Sequence, residues 1–404
     1  MKNIIYSVIF LFLLGCSEKK EKIDRYTEEQ VSSLHLGETR VMHTVSDSLV
    51  RVDLNPILSN KVFDFQKLVK SIRLVPLETT EKSLIGPINK VLATESHIYI
   101  YDRFKGGGLV VFDNEGKFIR RIPNGQGPGE LSRLYDIDFD EENDQLIAYE
   151  HSFLSFYKPD GKFIRQERLP FGFYNIVAIP KGYLIYELPV QGNDHMRGFE
   201  QYSFWVTDKN FKVNGVGLSS SSIKVRYLWQ RYIYDNDEII VTQRFNDTIY
   251  QYDQSSDQLK SKYILNYNEN QLPLKYIKGS FEEFQKVVKE NDYFFFIGEY
   301  LETADFQFFS IDNWFRKSKT VIYGDKRTGN MEGGTSGRFN IEEIPSLAPP
   351  QSTYKEEFIS WYIPRKDFPF NTKSKMLSET DKAKVRDLTK EDNPVLVFFR
   401  LNDF

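Results

Sequence analysis

Five histidines, His35, His43, His97, His151 and His195, are spread through the 404 residues. None forms an H-x-H or H-E-x-x-H pair, the spacings that bring two imidazoles to one ion, so no metal site is expected. There is no G-x-S-x-G turn to expose a nucleophilic serine. Aspartates and glutamates are plentiful, but no spacing along the chain pairs two of them at the separation glycosidic cleavage needs. Acidic pairs such as Glu141-Glu142 and Glu282-Glu283 read as solvated turn or helix faces. The loop Asn124-Gly125-Gln126-Gly127-Pro128-Gly129-Glu130 has the glycines of a phosphate cradle. It lacks the G-x-x-x-x-G-K-[ST] order and joins two strands instead of opening a helix, so its glycines are expected to serve a tight connection. The residues specify neither a catalytic group nor a cofactor.

The single cysteine, Cys16, has a clear chemical reading. Lys2 precedes an apolar run from Ile4 to Leu14, and Leu13-Leu14-Gly15-Cys16 is followed by polar Ser17-Glu18-Lys19-Lys20. The run is too short to span a bilayer, which takes about 20 residues, and has the length of a signal-peptide core. The junction resembles a bacterial lipobox, in which the cysteine thiol is acylated and becomes the first mature residue. Residues 1–15 are therefore expected to be a lipoprotein signal peptide and 16–61 a lipid-anchored tether. With no other cysteine, the mature fold has no internal disulfide.

The elements downstream repeat. Phe112-Asp113-Asn114-Glu115-Gly116-Lys117-Phe118-Ile119-Arg120 returns as Tyr157-Lys158-Pro159-Asp160-Gly161-Lys162-Phe163-Ile164-Arg165, 45 positions later. A weaker third copy is Val206 to Val213. Each reads as strand, tight polar turn, strand. Further strands precede each copy: His97–Asp102, Gln145–Glu150 and Gly182–Glu187. Units of four strands and about 45 residues have the size of propeller blades. Later units follow at 238–265, 293–323 and 358–401. Ile72–Leu77 comes too early for the first blade and is expected to pair with Val395–Leu401, closing the ring. Two insertions are expected. One carries a helix from Ser280, and the other, roughly 330–390, carries a short helix near Thr380–Leu388. The expected fold is all-β: a six-bladed propeller of four-stranded antiparallel blades over residues 62–404.

Val75-Pro76-Leu77-Glu78-Thr79-Thr80, Leu84-Ile85-Gly86, Ile98 to Asp102, Gly125 to Glu130 and Asn393-Pro394-Val395-Leu396-Val397 together resemble the six-bladed β-propeller lipoproteins of Bacteroidota, a family similar in pattern to NHL-repeat propellers. The resemblance covers about residues 62–404. It implies a fold and an envelope location and no particular reaction.

In such a ring the loop after each blade's second strand shares a face with the blade-to-blade loop, and loops on a rigid scaffold are where binding residues gather. Arg103, His151, Arg197 and Arg244 occupy those loops, with His195 beside Arg197. They are the candidate ligand-binding residues, suited to an anionic ligand or acidic glycan; the alternative is that they are exposed charges or parts of inter-blade ion pairs. The net charge of −4 gives no concentrated basic surface, so no nucleic-acid partner is expected. The expected function is an exported, lipid-anchored binding or scaffold protein of the cell envelope, outer-membrane and facing periplasm or surface. Its partners would be the membrane, through the anchor, and a glycan, peptide or envelope protein. The alternative is a propeller hydrolase or lyase acting on a glycan, with calcium as a candidate channel ion.

Overall fold

A computed structural model describes residues 26–46, 49–59, 63–102, 108–150, 152–186, 192–196, 198–220, 231–236, 238–313, 319–334, 339–341, 344–365, 369–371 and 373–404. Cys16, Arg103, His151 and Arg197 lie outside these residues.

The strands form six four-stranded antiparallel blades around a channel. In chain order the blades span 88–122, 136–168, 175–219, 233–266, 295–334 and 352–401, the last completed by Val69–Pro76. Inner strands such as Asn175–Ile179 and second strands such as Gly182–Tyr186 are buried along their whole length. Burial on both faces explains why they read as continuous apolar runs and not as alternating ones. Apolar side chains from adjacent blades pack into the clefts between them, as Tyr149, Phe171, Phe173 and Trp205 do between blades two and three.

The repeated turns are the hairpins between third and outer strands. Gly116 and Gly161 take φ of +85° and +77° there. In the weaker third copy Phe211 takes φ +64° without a glycine. Ring closure pairs Ile72 with Phe399 and Leu74 with Val397 in an antiparallel register. Asn393 locks the seam. Its Nδ2 donates to the Glu78 and Ser83 carbonyls at 2.8 and 2.9 Å, and its Oδ1 accepts from Ile85 N at 2.9 Å. The 330–390 stretch is not wholly an insertion. Met331–Gly334 is the outer strand of blade five and Ser352–Tyr354 the inner strand of blade six. The two helices expected from the sequence fall at Phe281–Asn291, capped by the Ser280 hydroxyl, and at Glu379–Val385.

The described part of the expected tether lies against the propeller rim. Arg40–Val41 adds a parallel strand to the outer edge of blade three, and Thr44–Val45 and Val50–Asp53 do so to blade four. An outer strand presents a row of open N–H and C=O groups, and these short strands cover part of it.

Candidate functional site

Each inner strand begins, and each second strand ends, at the same face of the ring. At that face a cavity of about 100 Å³ opens into the channel. All six blades contribute to its wall: Lys90, Asp136, Asn175, Arg231, Glu299 and Gln351, in blade order.

Blade two supplies the spine. Its inner strand reads Asp136-Ile137-Asp138-Phe139-Asp140, and the period of two places three buried carboxylates on one side. They lie against the inner strand of blade three, whose channel-side edge has no strand partner. Asp136 Oδ2 accepts from Ile176 N at 3.1 Å, and Asp138 Oδ2 accepts from Ala178 N at 2.8 Å. The aspartates thus serve backbone donors that would otherwise be orphaned in the channel wall.

Each aspartate is also matched by a cation from a different blade. Lys90 of blade one bonds Asp136 and the Ile137 carbonyl. Arg231, just before the inner strand of blade four, donates from Nη2 to Asp138 Oδ1 at 3.1 Å. Lys209, in the hairpin of blade three, reaches Asp140 at 2.9 Å. Burial pushes the Asp138 carboxyl up despite Arg231 and Lys90, and pushes the Lys90 ammonium down despite Asp136. Burial works against the charged Asp140 too, but hydrogen bonds from Lys209 and Asn143 outweigh it and hold that carboxyl low. Asp235, at the end of the blade-four inner strand, is reached by channel water yet enclosed by protein. That enclosure, reinforced by the Asp138 charge, lifts it to about 7.

Two buried polar atoms on this wall have no hydrogen-bond partner among the described residues: Asn175 Oδ1 and Arg231 Nε. Tyrosines frame the opening. Tyr234 donates to the Arg231 carbonyl at 2.6 Å, and Tyr101 and Tyr135 line the same cavity.

Among the candidate residues read from the sequence, Arg244 is described. It sits in the turn after the second strand of blade four, on the cavity face. Its Nε and Nη2 donate to the Tyr232 hydroxyl at 3.0 and 2.8 Å. Tyr232 in turn stacks on Tyr186, with centroids 4.4 Å apart. His195 lies in the corresponding loop of blade three, its Nε2 at 2.9 Å from the Pro170 carbonyl and its ring against Tyr26. The glycine-rich loop joins the outer strand of blade one to the inner strand of blade two. Glu130 folds back within it to accept from Gly127 N at 2.9 Å. A Cβ at Gly125 would meet the Glu130 carboxylate at 1.9 Å, so a side chain there would have to displace the Glu130 carboxylate from this loop.

The aspartate spine escaped the sequence reading, which singled out none of Asp136, Asp138 and Asp140. Its signal was the Asp-x-Asp-x-Asp alternation inside a stretch otherwise patterned for burial. Among the described residues, no cluster of three or more His, Cys, Asp or Glu side chains is arranged to hold a metal ion. No helix among them is long and apolar enough to cross a membrane.

Comparison with solved structures finds the same architecture elsewhere. A Bacteroides fragilis protein presumed to be exported shares 17% identity and superposes with a TM-score of 0.68, over 88% of this chain and 100% of the other. A DUF4221-family protein from Bacteroides vulgatus shares 13% identity with a TM-score of 0.48, over 83% and 99%. Among curated proteins none matches the sequence. Residues 49–400, from the rim strands to the closing strand, match the family described as Domain of unknown function (DUF4934), and the chain belongs to that family.

Proposed function

We propose that this chain is an exported lipoprotein of the cell envelope, anchored through Cys16, whose propeller binds a ligand at the channel mouth. The observation that carries the binding site is the wall itself. Its half-buried cations Lys90 and Arg231 are held by Asp136 and Asp138, which fixes them in place around a cavity that all six blades line. A concave wall of polar side chains held rigidly by ion pairs suits recognition. The likeness to a Bacteroides protein presumed to be exported supports the envelope location, and the lipobox-like junction supports the anchor. In this reading the loops bearing Arg103, His151, Arg197 and Arg244 extend the site outward from the mouth.

A second reading, a glycan hydrolase or lyase, is favoured by Asp235. A carboxyl lifted to about 7 beside Asp138 could donate a proton near neutrality.

Glycan and peptide arrays probed with the wild-type protein and an Arg103→Ala/Arg244→Ala double variant test the binding site. A ligand held by the wild type and weakened in the variant is expected. A ligand held equally by both would remove this face from the proposal. Product release from that ligand, lost in Asp235→Asn, would favour the enzyme.

A further inference from the structure

We infer that the propeller docks on the lipid surface that holds its anchor, channel mouth toward the membrane, through Leu274 and Phe281. The inference rests on the Cys16 anchor proposed above and adds a second membrane contact, made by the folded domain.

The tether gives the first ground. It reaches the described fold at Tyr26, which is 6% exposed and packs its ring on His195, with centroids 4.4 Å apart. His195 stands in the loop after the second strand of blade three. Its Nε2 lies 2.9 Å from the carbonyl of Pro170, in the connection from blade two. Both loops belong to the channel-mouth face, so the chain joins the propeller there. Ten peptide units separate Cys16 from Tyr26. Fully extended, they reach about 35 Å. An acylated Cys16 therefore keeps this edge of the mouth face within that distance of the bilayer surface.

The second ground is where the exposed apolar side chains lie. Among the described residues, Val41 and Val50 are on rim strands, and Ile119 and Ile164 on outer strands. Leu84, Leu274 and Phe281 lie on connections between blades, which run over the mouth face. No large apolar side chain so exposed belongs to a described turn of the opposite face. Leu274 is 69% exposed and Phe281 40%. Each is the first residue of a helix in the insertion between blades four and five, Leu274–Ile277 and Phe281–Asn291.

The platform that carries them is braced. Leu272 and Ile277 are buried, and Leu272 N donates to the Phe294 carbonyl at 3.2 Å. Phe281 stacks on Phe284, with centroids 6.1 Å apart. Phe284 in turn meets the edge of Phe245, the residue after Arg244 in the mouth-face turn.

Apolar groups presented this way suit the headgroup boundary of a bilayer, where they bury while lysine stems lie along the surface. Lys275 and Lys278 are exposed beside Leu274. Residues 274–291 hold four lysines and three glutamates, so the contact is led by apolar burial and not by charge. Two side chains make a weak contact alone. A short tether holds the membrane at an effective concentration of roughly millimolar, at which a weak contact is occupied.

The test uses the mature chain from Cys16, its single thiol joined to a maleimide lipid in vesicles of phosphatidylethanolamine and phosphatidylglycerol. Hydrogen exchange is compared with that of the same chain capped by a soluble maleimide. Slower exchange in residues 272–284 on the vesicles is expected. Leu274→Ser/Phe281→Ser should abolish the slowing at an unchanged melting temperature, and Leu274→Ser, which leaves the Phe281 stack in place, should reduce it. Partition of the capped chain onto the same vesicles should fall about tenfold in the double variant and be insensitive to salt. Slowing confined to the opposite-face turns 114–117, 159–162 and 209–212, or found nowhere, would overturn the docking face. Slowing in 272–284 that the double variant keeps would overturn Leu274 and Phe281 as the contact. Self-association without vesicles, lost in Leu274→Ser, would give the patch to a second copy of the chain instead. Because the coupling is chemical, each of these outcomes is separate from the Cys16 anchor, which fractionation of Cys16→Ser tests in the cell.

Discussion

Arg231 Nη2 donates to Asp138 Oδ1 across 93 residues of sequence, joining the inner strand of blade two to the approach of blade four inside the channel. The two side chains are 21% and 7% exposed. Removing the arginine strands a buried carboxylate, at a cost of about 3–5 kcal/mol. Arg231→Ala should therefore lower the urea midpoint sharply at pH 7. The Asp138 carboxyl, already raised by burial, rises further without its partner. A carboxyl raised in the folded state contributes stability at low pH and loses it as pH increases. The variant should thus recover part of its deficit on acidification, which denaturation curves at several pH values will show. An equal deficit at every pH would contradict this.

Asp247 offers a second pH test away from the cavity. It sits at the start of the third strand of blade four, accepting from Gln271 Nε2 at 2.9 Å, and burial lifts it to about 6. Its folded value lies above the unfolded one, so its contribution is complete below about pH 4 and fades as pH rises through 6. Asp247→Asn keeps an acceptor for Gln271 and removes the buried charge. Its melting temperature should exceed that of the wild type above pH 7, by the equivalent of about 3 kcal/mol, and the two should converge near pH 4.

Gly298 makes the bulge that bends the inner strand of blade five. Its φ is +94°, and a Cβ there would meet Tyr232 Cε1 at 2.5 Å. Tyr232 is the residue that holds Arg244. Gly298→Ala is expected to cost about 2 kcal/mol or more and to disturb Arg244. Calorimetry and the tyrosine ring resonances would report each effect.

Asn393 should prove among the most sensitive polar residues outside the channel. It is 2% exposed, and its amide serves two carbonyls and one N–H of the 78–85 segment. Asn393→Ala orphans the Ser83 carbonyl and the Ile85 N–H, while the Glu78 carbonyl keeps the Ser83 hydroxyl at 2.6 Å; the expected loss is about 2–4 kcal/mol, read from chemical denaturation.

Cys16→Ser should move the protein from the membrane fraction to the soluble or unprocessed fraction. A variant still retained by membranes through high-salt washing would contradict the anchor.

The seam shows why much of the fold was legible. Glu78, Ile85 and Asn393 stood in the quoted sequence pattern, and in space one side chain ties all three together. The hairpin glycines were equally plain, because φ near +80° leaves few other residues possible. The inner strand of blade six and the outer strand of blade five were not legible. Ser352–Tyr354 is three residues long, and Met331–Gly334 has two glycines and little apolar character. The channel wall was the hardest part. Asp136, Asp138 and Asp140 find their cations 46, 93 and 69 positions away, on three different blades. No local spacing announces such a partnership. The cationic loop residues, by contrast, stood out because they recur at equivalent blade positions, and Arg244 lies on the cavity face.

The seam also sets a clock on biogenesis. Val69–Pro76 leaves the ribosome early, and its partner Val395–Leu401 is made more than 300 residues later. In the exported protein proposed above, the chain crosses the membrane in the same order, and the first strand waits with both edges bare until its partner has followed. Blades one to five can form during that interval, but the ring cannot shut until the last few residues arrive. A chain released early, even by a dozen residues, would carry an open blade with an adhesive strand at its edge. The interval before closure is therefore when this protein most needs an escort.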